Sequence, residues 1–366
     1  MTGWNVTDMA ATPAGGGVTY VETNHGPAGR LPLFAVGVTE PCPERAPPPP
    51  KGVGNLGPMA KFTVGLVPHP TKPVLESIDV LRGWKKGADA QLIALQDDAA
   101  RVGDGVELVD EAAFVQRVDV VVSLGGDGTM LGAMRLVAPR PVPVLGVNYG
   151  NVGFLVEIEP SELADTLDAL PSTDFSLEPH HAIEVSVAST GFESSFLAFN
   201  DLSVTRRPGQ GVVTADLEVD GTPYGYFKAD SVVASTPAGS TAYNYAAGGP
   251  IVSPAVAAVV VTPVAPMAGI DRSVVLGPKE RLKFTIGEGT RSAALELDGR
   301  VVFDVSEGTV IKVKLRKDAG VVARLDAGRH GRKGRLKLSL MDLPLRNDQL
   351  LELVPPDVRA RFARQH

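Results

Sequence analysis

The stretch VVVSLGGDGTMLGAM, residues 120–134, decides how this chain is read. It opens on β-branched residues of strand character, Val120 to Val122, and closes on a helix-like pattern from Met130. Between them Gly125, Gly126 and Gly128 surround one acid, Asp127, with Thr129 following. Glycines add conformational entropy to the unfolded chain and no apolar surface to the folded one, so three in four positions need another reason. A strand, a glycine turn and a helix N-terminus aim several backbone N–H groups at one point, a geometry that attracts phosphate. A carboxylate there would be repelled by phosphate unless it binds Mg²⁺ or takes a proton. The competing reading is a tight turn in which Asp127 caps the helix.

Working outward, the flanks alternate strand and helix. Lys61 to Pro70 reads as a strand ending in a turn, Pro73 to Lys86 as a helix, Ala90 to Leu95 as a strand. A helix near Asp110 to Val115, the strand Val118 to Ser123, a helix Met130 to Val137 and a strand Val142 to Val147 follow. Such alternation predicts a parallel, Rossmann-like α/β domain over residues 59–155, with ligands at the carboxyl ends of its strands. Beyond Glu159 the texture changes. After a helical stretch from Ser161 to Ala169, the segments EVSVAST, SSFLAFNDLSV, ADLEVDGTPY, SVVAST, RLKFTIG, AALELDGR and TVIKVKL read as strands. Asp220-Gly221 and Asp298-Gly299 mark hairpin turns. Residues 156–327 are therefore expected to form a second, β-rich domain.

The ends differ from this body. Residues 1–58 hold much of the excess glycine and proline and show no sustained period, which predicts a disordered tail; Met59 is an alternative start. Residues 328–366, with a basic run from Arg329 to Lys337 and a helical candidate near Asn347 to Leu353, are expected to pack back on the first domain.

Composition narrows the function. The net charge of −7 and 5% aromatic content argue against a nucleic-acid partner. The single cysteine excludes an internal disulfide framework and a cysteine-rich zinc site. No leader pattern is visible, and the most apolar stretch, IVSPAVAAVVVTPVAPMAG, is broken by Pro254, Pro263 and Pro266. A soluble, cytoplasmic protein with no membrane partner is expected.

Two further clusters could carry chemistry. In residues 230–254, DSVVASTPAGSTAYNYAAGGPIVSP, small hydroxyl residues and glycines would let a loop wrap closely around a polar ligand; a Ser/Thr-rich connector is the alternative. In FNDL, residues 199–202, an amide beside a carboxylate suits a base edge and ribose hydroxyls, or else an Asx-type turn.

Taken together, GGDGT, the Asn200-Asp201 pair and STPAGSTAY at 235–243 resemble the NAD kinase family, as do GVNYGNVGFL at 146–155 and ELDG at 296–299. GGDGT alone is shared with phosphofructokinases and with lipid kinases of the diacylglycerol and sphingosine type; STPAGSTAY is the specific motif. The resemblance covers about residues 62–315 and implies phosphorylation of the adenosine ribose 2′-hydroxyl of NAD, giving NADP, with ATP or polyphosphate as donor and Mg²⁺ as cofactor. It implies that Asp127 orients or deprotonates the hydroxyl and helps place Mg²⁺, and that Gly125, Gly126, Gly128 and Thr129 hold the phosphate-bearing region. Asn200 and Asp201 would hold adenosine groups, while Thr241, Ala242 and Tyr243 line the NAD pocket. Asp230 would reach the nicotinamide side, including that of a neighbouring subunit's ligand, in a homodimer or homotetramer. Four positions depart from the family pattern: Asp201 for Glu, Ser231 for Gly, Ala246 for Ser and Met267 for His. They keep a non-catalytic NAD(P)-binding regulator in view as a rival to the kinase and to a lipid kinase.

Overall fold

The computed structural model describes residues 61–150, 153–172, 174–189 and 192–325. The expected tail over 1–58, the start at Met59 and the expected extension over 328–366 lie outside the described residues. The first half runs β1 (Phe62–Pro68), α1 (Leu75–Lys85), β2 (Ala90–Leu95), α2 (Ala99–Val102), β3 (Glu107–Val109), α3 (Glu111–Arg117), β4 (Val120–Gly125), α4 (Asp127–Leu136) and β5 (Pro143–Asn148). All five strands pair in parallel, in the order β3-β2-β1-β4-β5. The chain therefore reverses its direction of travel across the sheet between β1 and β4, the place where doubly wound sheets leave a crevice at the strands' carboxyl ends. The glycine turn leaves β4 at that point.

Local chemistry explains these elements. β4 is buried at every residue, as a central parallel strand must be. α1 turns Ile78 and Leu81 onto one face of the sheet, whereas Phe114 of α3 lies under the other; all three are fully buried. Burial of such side chains contributes about 1.5–3 kcal/mol each. The Asp110 carboxylate caps α3, accepting from Ala113 N–H at 2.7 Å.

The helix expected from Ser161 is interrupted. A 3₁₀ turn at Pro160–Glu162 leads into α5 (Leu163–Thr166), and α6 (Ala169–Ser172) follows separately. The strands after it are β6 (Ser176–Ser189), β7 (Phe192–Ala198), β8 (Asp201–Arg206), β9 (Val213–Val219), β10 (Thr222–Ala229) and β11 (Ser231–Ser235). After α7 (Tyr243–Ala246) come β12 (Val259–Val264), β13 (Ala268–Gly269), β14 (Val274–Leu276), β15 (Arg281–Ile286), β16 (Ala293–Leu297), β17 (Arg300–Val305) and β18 (Val310–Arg324). Both Asp-Gly hairpins form: Asp220 and Gly221 take φ of +50° and +78°, and Asp298 and Gly299 take +46° and +74°.

Six strands make an antiparallel sheet in the order β14-β12-β11-β8-β16-β17. A second sheet continues the parallel one through β18, which pairs antiparallel with β6 on both sides of an irregularity, antiparallel with β15 along its first part, and parallel with β5 at Val321 and Val322. The register shift between Arg316 and Gly320, with Asp318 at φ +50°, lies where β18 keeps β6 on one edge and passes from β15 to β5 on the other. One apolar core fills the space between the two sheets, and two others line the opposite faces of the parallel part.

Candidate active site

Asp127 is the first residue of α4, and Gly126 occupies the cap position. The Gly126 carbonyl accepts from the N–H groups of Thr129 and Met130 at 3.0 and 3.1 Å. The Asp127 carboxylate reaches across to a distant segment. Its Oδ2 accepts from Phe154 N–H at 2.9 Å, and its Oδ1 from Leu155 N–H at 3.0 Å. Whatever it does for its own helix, Asp127 thus bonds across the site to the GNVGFL segment. That approach explains Gly153, where a Cβ would lie 2.1 Å from Asp127 Oδ1. Within the turn Gly125 packs on buried Thr129, whose Oγ1 would meet a Cβ at 2.1 Å. Gly128 opens outward, a Cβ there meeting nothing within 4 Å.

Asn200 and Asp201 sit at a corner that the sequence reading placed inside one strand. The run SSFLAFNDLSV splits into β7 and β8, and the chain passes from one sheet to the other at Phe199 and Asn200. Two loops hold this corner. Thr236 bonds it twice, Oγ1 donating to the Phe199 carbonyl at 2.7 Å and its N–H to the Asn200 carbonyl at 2.8 Å. Asp298, in the β16–β17 turn, supports it from the other side. Its Oδ1 accepts from the N–H groups of Asn200 and Asp201 at 2.7 and 3.2 Å, and its Oδ2 from Phe199 N–H at 3.2 Å. The same Oδ2 pairs with Arg135 in the last turn of α4. One buried carboxylate therefore ties the helix that begins at Asp127 to the Asn200 corner.

Sequence reading had Asp298 as a turn residue within the ELDG motif, without a role, and missed Arg135. The available signal was a lone cation in the otherwise apolar run MLGAMRLV.

The Asp201 carboxyl is buried and accepts from Tyr243 N–H. Burial, and then the negative charges of Asp298 and Glu296, push it up to about 7 against that hydrogen bond. The one-methylene shortening relative to the family's Glu thus leaves this carboxyl bonded to the STPAGSTAY loop.

Within that loop the small polar residues divide into two groups. Thr236, Ser240 and Asn244 are fully buried and bond inward. Ser240 Oγ donates to the Pro237 carbonyl at 2.6 Å, and Asn244 Nδ2 donates to the carbonyls of Ser240 and Pro250 at 3.1 and 2.9 Å. These side chains shape the loop. Thr241, Ala242 and Tyr243 are half-buried and keep accessible surface.

Asp230 is not brought to this corner. It pairs with Arg206 at 2.6 Å beyond the first residue of β11, whereas Asp201 pairs with Ser235 at the last. Five residues of strand put about 16 Å between the two ends. The other departures are absorbed locally: Ser231 Oγ lies 2.9 Å from Thr205 Oγ1, Ala246 is exposed, and Met267 is 60% exposed.

For a metal, the described residues contain no group of three or more His, Cys, Asp or Glu side chains able to hold one. Mg²⁺ at phosphoryl-transfer sites is held by one or two carboxylates together with substrate phosphates, and Asp127 fits that mode. His180 and His181 diverge as neighbours on an extended strand do, His180 Nε2 lying 2.9 Å from Glu178 and His181 Nδ1 3.6 Å from Asp318. His69 Nδ1 accepts from the N–H groups of Thr71 and Lys72 and shapes the turn after β1. A cavity of about 430 Å³ bordered by Lys61, Lys85, Lys86 and Glu107 lies at the opposite, amino end of the parallel strands and shares no residue with the site.

A carboxylate at the first turn of a helix, at the switch point of a parallel sheet and tied to a polar corner in a β-rich half, defines a phosphotransferase of the nucleotide-binding α/β class. Comparison with known proteins gives the family. The ATP-NAD kinase N-terminal domain matches residues 93–175, and the ATP-NAD kinase C-terminal domain matches residues 199–322. The NAD kinase of Syntrophotalea carbinolica is 33% identical over 247 residues, 67% of this chain and 86% of that protein. That of Koribacter versatilis is 35% identical over 253 residues, 68% and 88%. Among solved structures, yeast NADH kinase complexed with NADH superposes with a TM-score of 0.70 at 24% identity, over 79% of this chain and 91% of that one. An NAD kinase from Archaeoglobus fulgidus in complex with ATP gives 0.56 at 21%, over 76% and 99%. These two share the fold. The chain belongs to the NAD kinase family. No helix among the described residues is long and apolar enough to cross a membrane.

Proposed function

We propose that this chain transfers the terminal phosphoryl group of ATP to the 2′-hydroxyl of the adenosine ribose of NAD, giving NADP. The observation that carries this reading is the Asp127 carboxylate, fixed by two backbone N–H groups at the mouth of a glycine turn and joined through α4, Arg135 and Asp298 to the Asn200 corner. Phosphoryl transfer asks mainly for two oxygens held in line on either side of phosphorus. Asp127 orients the 2′-hydroxyl and accepts its proton as the new bond forms. Gly126 and Gly128 let the donor's phosphates approach the backbone, with Gly125 and Thr129 bracing the turn behind them.

The acceptor lies along the β-rich half. Asn200 and Asp201 hold adenosine groups, and Thr241, Ala242 and Tyr243 line the pocket. Asp127, together with the donor's phosphates, would hold Mg²⁺, which would supply charge neutralisation on the transferring group. On this division residues 59–155 receive the donor and residues 156–327 hold NAD.

Assembly and location complete the proposal. Asp230, about 16 Å along β11 from the Asn200 corner, is assigned to the nicotinamide side, including that of a neighbouring subunit's ligand in a homodimer or homotetramer. Tyr224, Tyr226 and Met267, each 45–60% exposed beside the β10–β13 pair, offer an apolar surface for such contact. A cytoplasmic location agrees with the single cysteine.

A coupled assay tests the reading. Purified protein with NAD, Mg²⁺ and either ATP or polyphosphate is expected to form NADP, detected by an NADP-specific dehydrogenase. NAD binding without product from either donor would overturn it in favour of a silent, ligand-sensing relative.

A further inference from the structure

Arg324 is the last residue of β18 and only 3% exposed. A buried guanidinium needs its donors bonded and its charge balanced. Glu157 and Glu178 balance it: Nη1 lies 3.2 Å from Glu157 Oε2, and Nε donates to Glu178 Oε2 at 2.6 Å. The remaining bonds go elsewhere. Nη1 also donates to the Leu155 carbonyl at 2.8 Å, and Nη2 to the Phe154 carbonyl at 3.3 Å. Phe154 and Leu155 are the residues whose N–H groups hold Asp127.

The geometry points to Arg324 as the residue that positions the Asp127 carboxylate for phosphoryl transfer, acting through the peptide unit between Phe154 and Leu155. The carbonyl of Phe154 and the N–H of Leu155 belong to that single planar unit. A cation fixed on its oxygen sets the direction in which its N–H points, toward Asp127 Oδ1. It also polarises the unit, which strengthens the N–H as a donor in a low-dielectric interior. The next carbonyl, that of Leu155, is held by the same fork, so the segment cannot rotate about one anchor. Gly153 sits immediately before it, leaving room for the carboxylate.

Arginine suits the role because its planar fork serves two carbonyls and two carboxylates at once; a lysine ammonium has three donors on a flexible stem. A purely architectural ion pair would be complete with Glu157 and Glu178 alone. β18 thus reaches back about 170 residues to set the geometry of the glycine turn's acid.

This inference rests on Asp127 acting on the hydroxyl, so its test carries one readout with turnover and one without. Wild type, Arg324→Lys and Glu178→Gln are compared for NADP formation, thermal unfolding and amide hydrogen exchange over residues 153–156. Arg324→Lys is expected to lower kcat by about 10²-fold, the scale of a misplaced reacting group, with KM for NAD within twofold. Glu178→Gln removes a partner of the same cation but leaves the carbonyl bonds, so kcat stays within threefold even where the unfolding temperature falls. In an Asp127→Asn background Arg324→Lys adds no further loss, because both act on one group. Amide exchange at Leu155 rises at least about tenfold in Arg324→Lys and is unchanged in Glu178→Gln.

A kcat for Arg324→Lys within threefold of wild type, or equal kcat losses in the two variants, overturns the proposal. Unchanged exchange at Leu155 does so as well. An inactive wild type with the expected exchange pattern sinks the kinase reading and keeps the positioning one. Should Arg324→Lys fail to fold, the charge-compensated double variant Arg324→Gln with Glu157→Gln carries the same expectations.

Discussion

Asp298 offers the sharpest quantitative test of how the two halves are joined. In Asp298→Asn one oxygen survives, and it can keep the bonds from the Asn200 and Asp201 N–H groups. The amide nitrogen then faces Phe199 N–H and Arg135, two donors that the carboxylate oxygen had accepted. Arg135 loses its counter-ion while Asp298 is 1% exposed and Arg135 itself only 21%. Breaking a buried pair costs about 3–5 kcal/mol, and the surviving oxygen places this variant near 3. For a body of this size each kcal/mol lowers the unfolding temperature by about 2–4 °C, so a fall of roughly 6–12 °C is expected. The corner that moves carries Asn200 and Asp201, so KM for NAD rises several-fold while kcat changes less. Calorimetry and steady-state kinetics on the same preparation read both effects. A fall of under 2 °C together with an unchanged KM would show that the corner stands without Asp298, and the coupling drawn from α4 through Arg135 would be refuted.

Other perturbations address the chemistry. Asp127→Asn is expected to keep the fold and lower kcat by about 10²–10⁴-fold, the range of general-base contributions; turnover within twofold of wild type removes Asp127 from the mechanism. Gly153→Ala places a methyl 2.1 Å from Asp127 Oδ1, so kcat should fall by about 10² with a small change in stability; an unaffected kcat would mean that the carboxylate need not lie where it is seen. Asp201 gives a pH signature. Its folded value of about 7 lies above the ordinary 3.8, so the folded state holds the extra proton between those values and stability falls as pH rises through that window. In Asp201→Asn this component vanishes. The difference in unfolding temperature between variant and wild type should therefore grow in the variant's favour from pH 4 to 7, and a pH-independent difference would contradict the burial assigned to that carboxyl.

Most of the first half was legible because its longer elements write their own patterns, whereas α2 and β3, of four and three residues, are too short to show one. The parallel strands β1, β2, β4 and β5 are short, apolar and separated by helical periods, and the glycine turn announces the carboxyl end of β4. α4 was read three residues short, since glycine and aspartate in its first turn are poor helix formers that the fold overrides. β12 was hidden by its proline. Pro263 lies beyond the residues of β12 that pair with β14, so its missing N–H breaks no ladder there. β17 was hidden by exposure, because a strand with little buried surface has little apolar alternation to show.

At the site, the residues Asp127, Asn200, Asp201 and Tyr243 stood out through the motifs that contain them. Arg135, Asp298 and Arg324 did not stand out as a group, because their meaning lies in partners more than 95 residues away. The loop hydroxyls misled in the other direction. A buried serine that holds a turn and an accessible one that meets a ligand look alike in one dimension.

The double allegiance of β18 has a consequence for how this chain is made. β5 leaves the ribosome about 180 residues before the part of β18 that pairs with its first residues, Pro143 and Val144. At synthesis rates of about 5–20 residues per second, its outer edge waits roughly 10–40 s for that partner. Throughout that interval the start of that edge stays open to other chains, while its carboxyl end is covered early by Glu157 and Ile158. The strand that unites the finished enzyme therefore also sets the period in which the unfinished one most needs a chaperone.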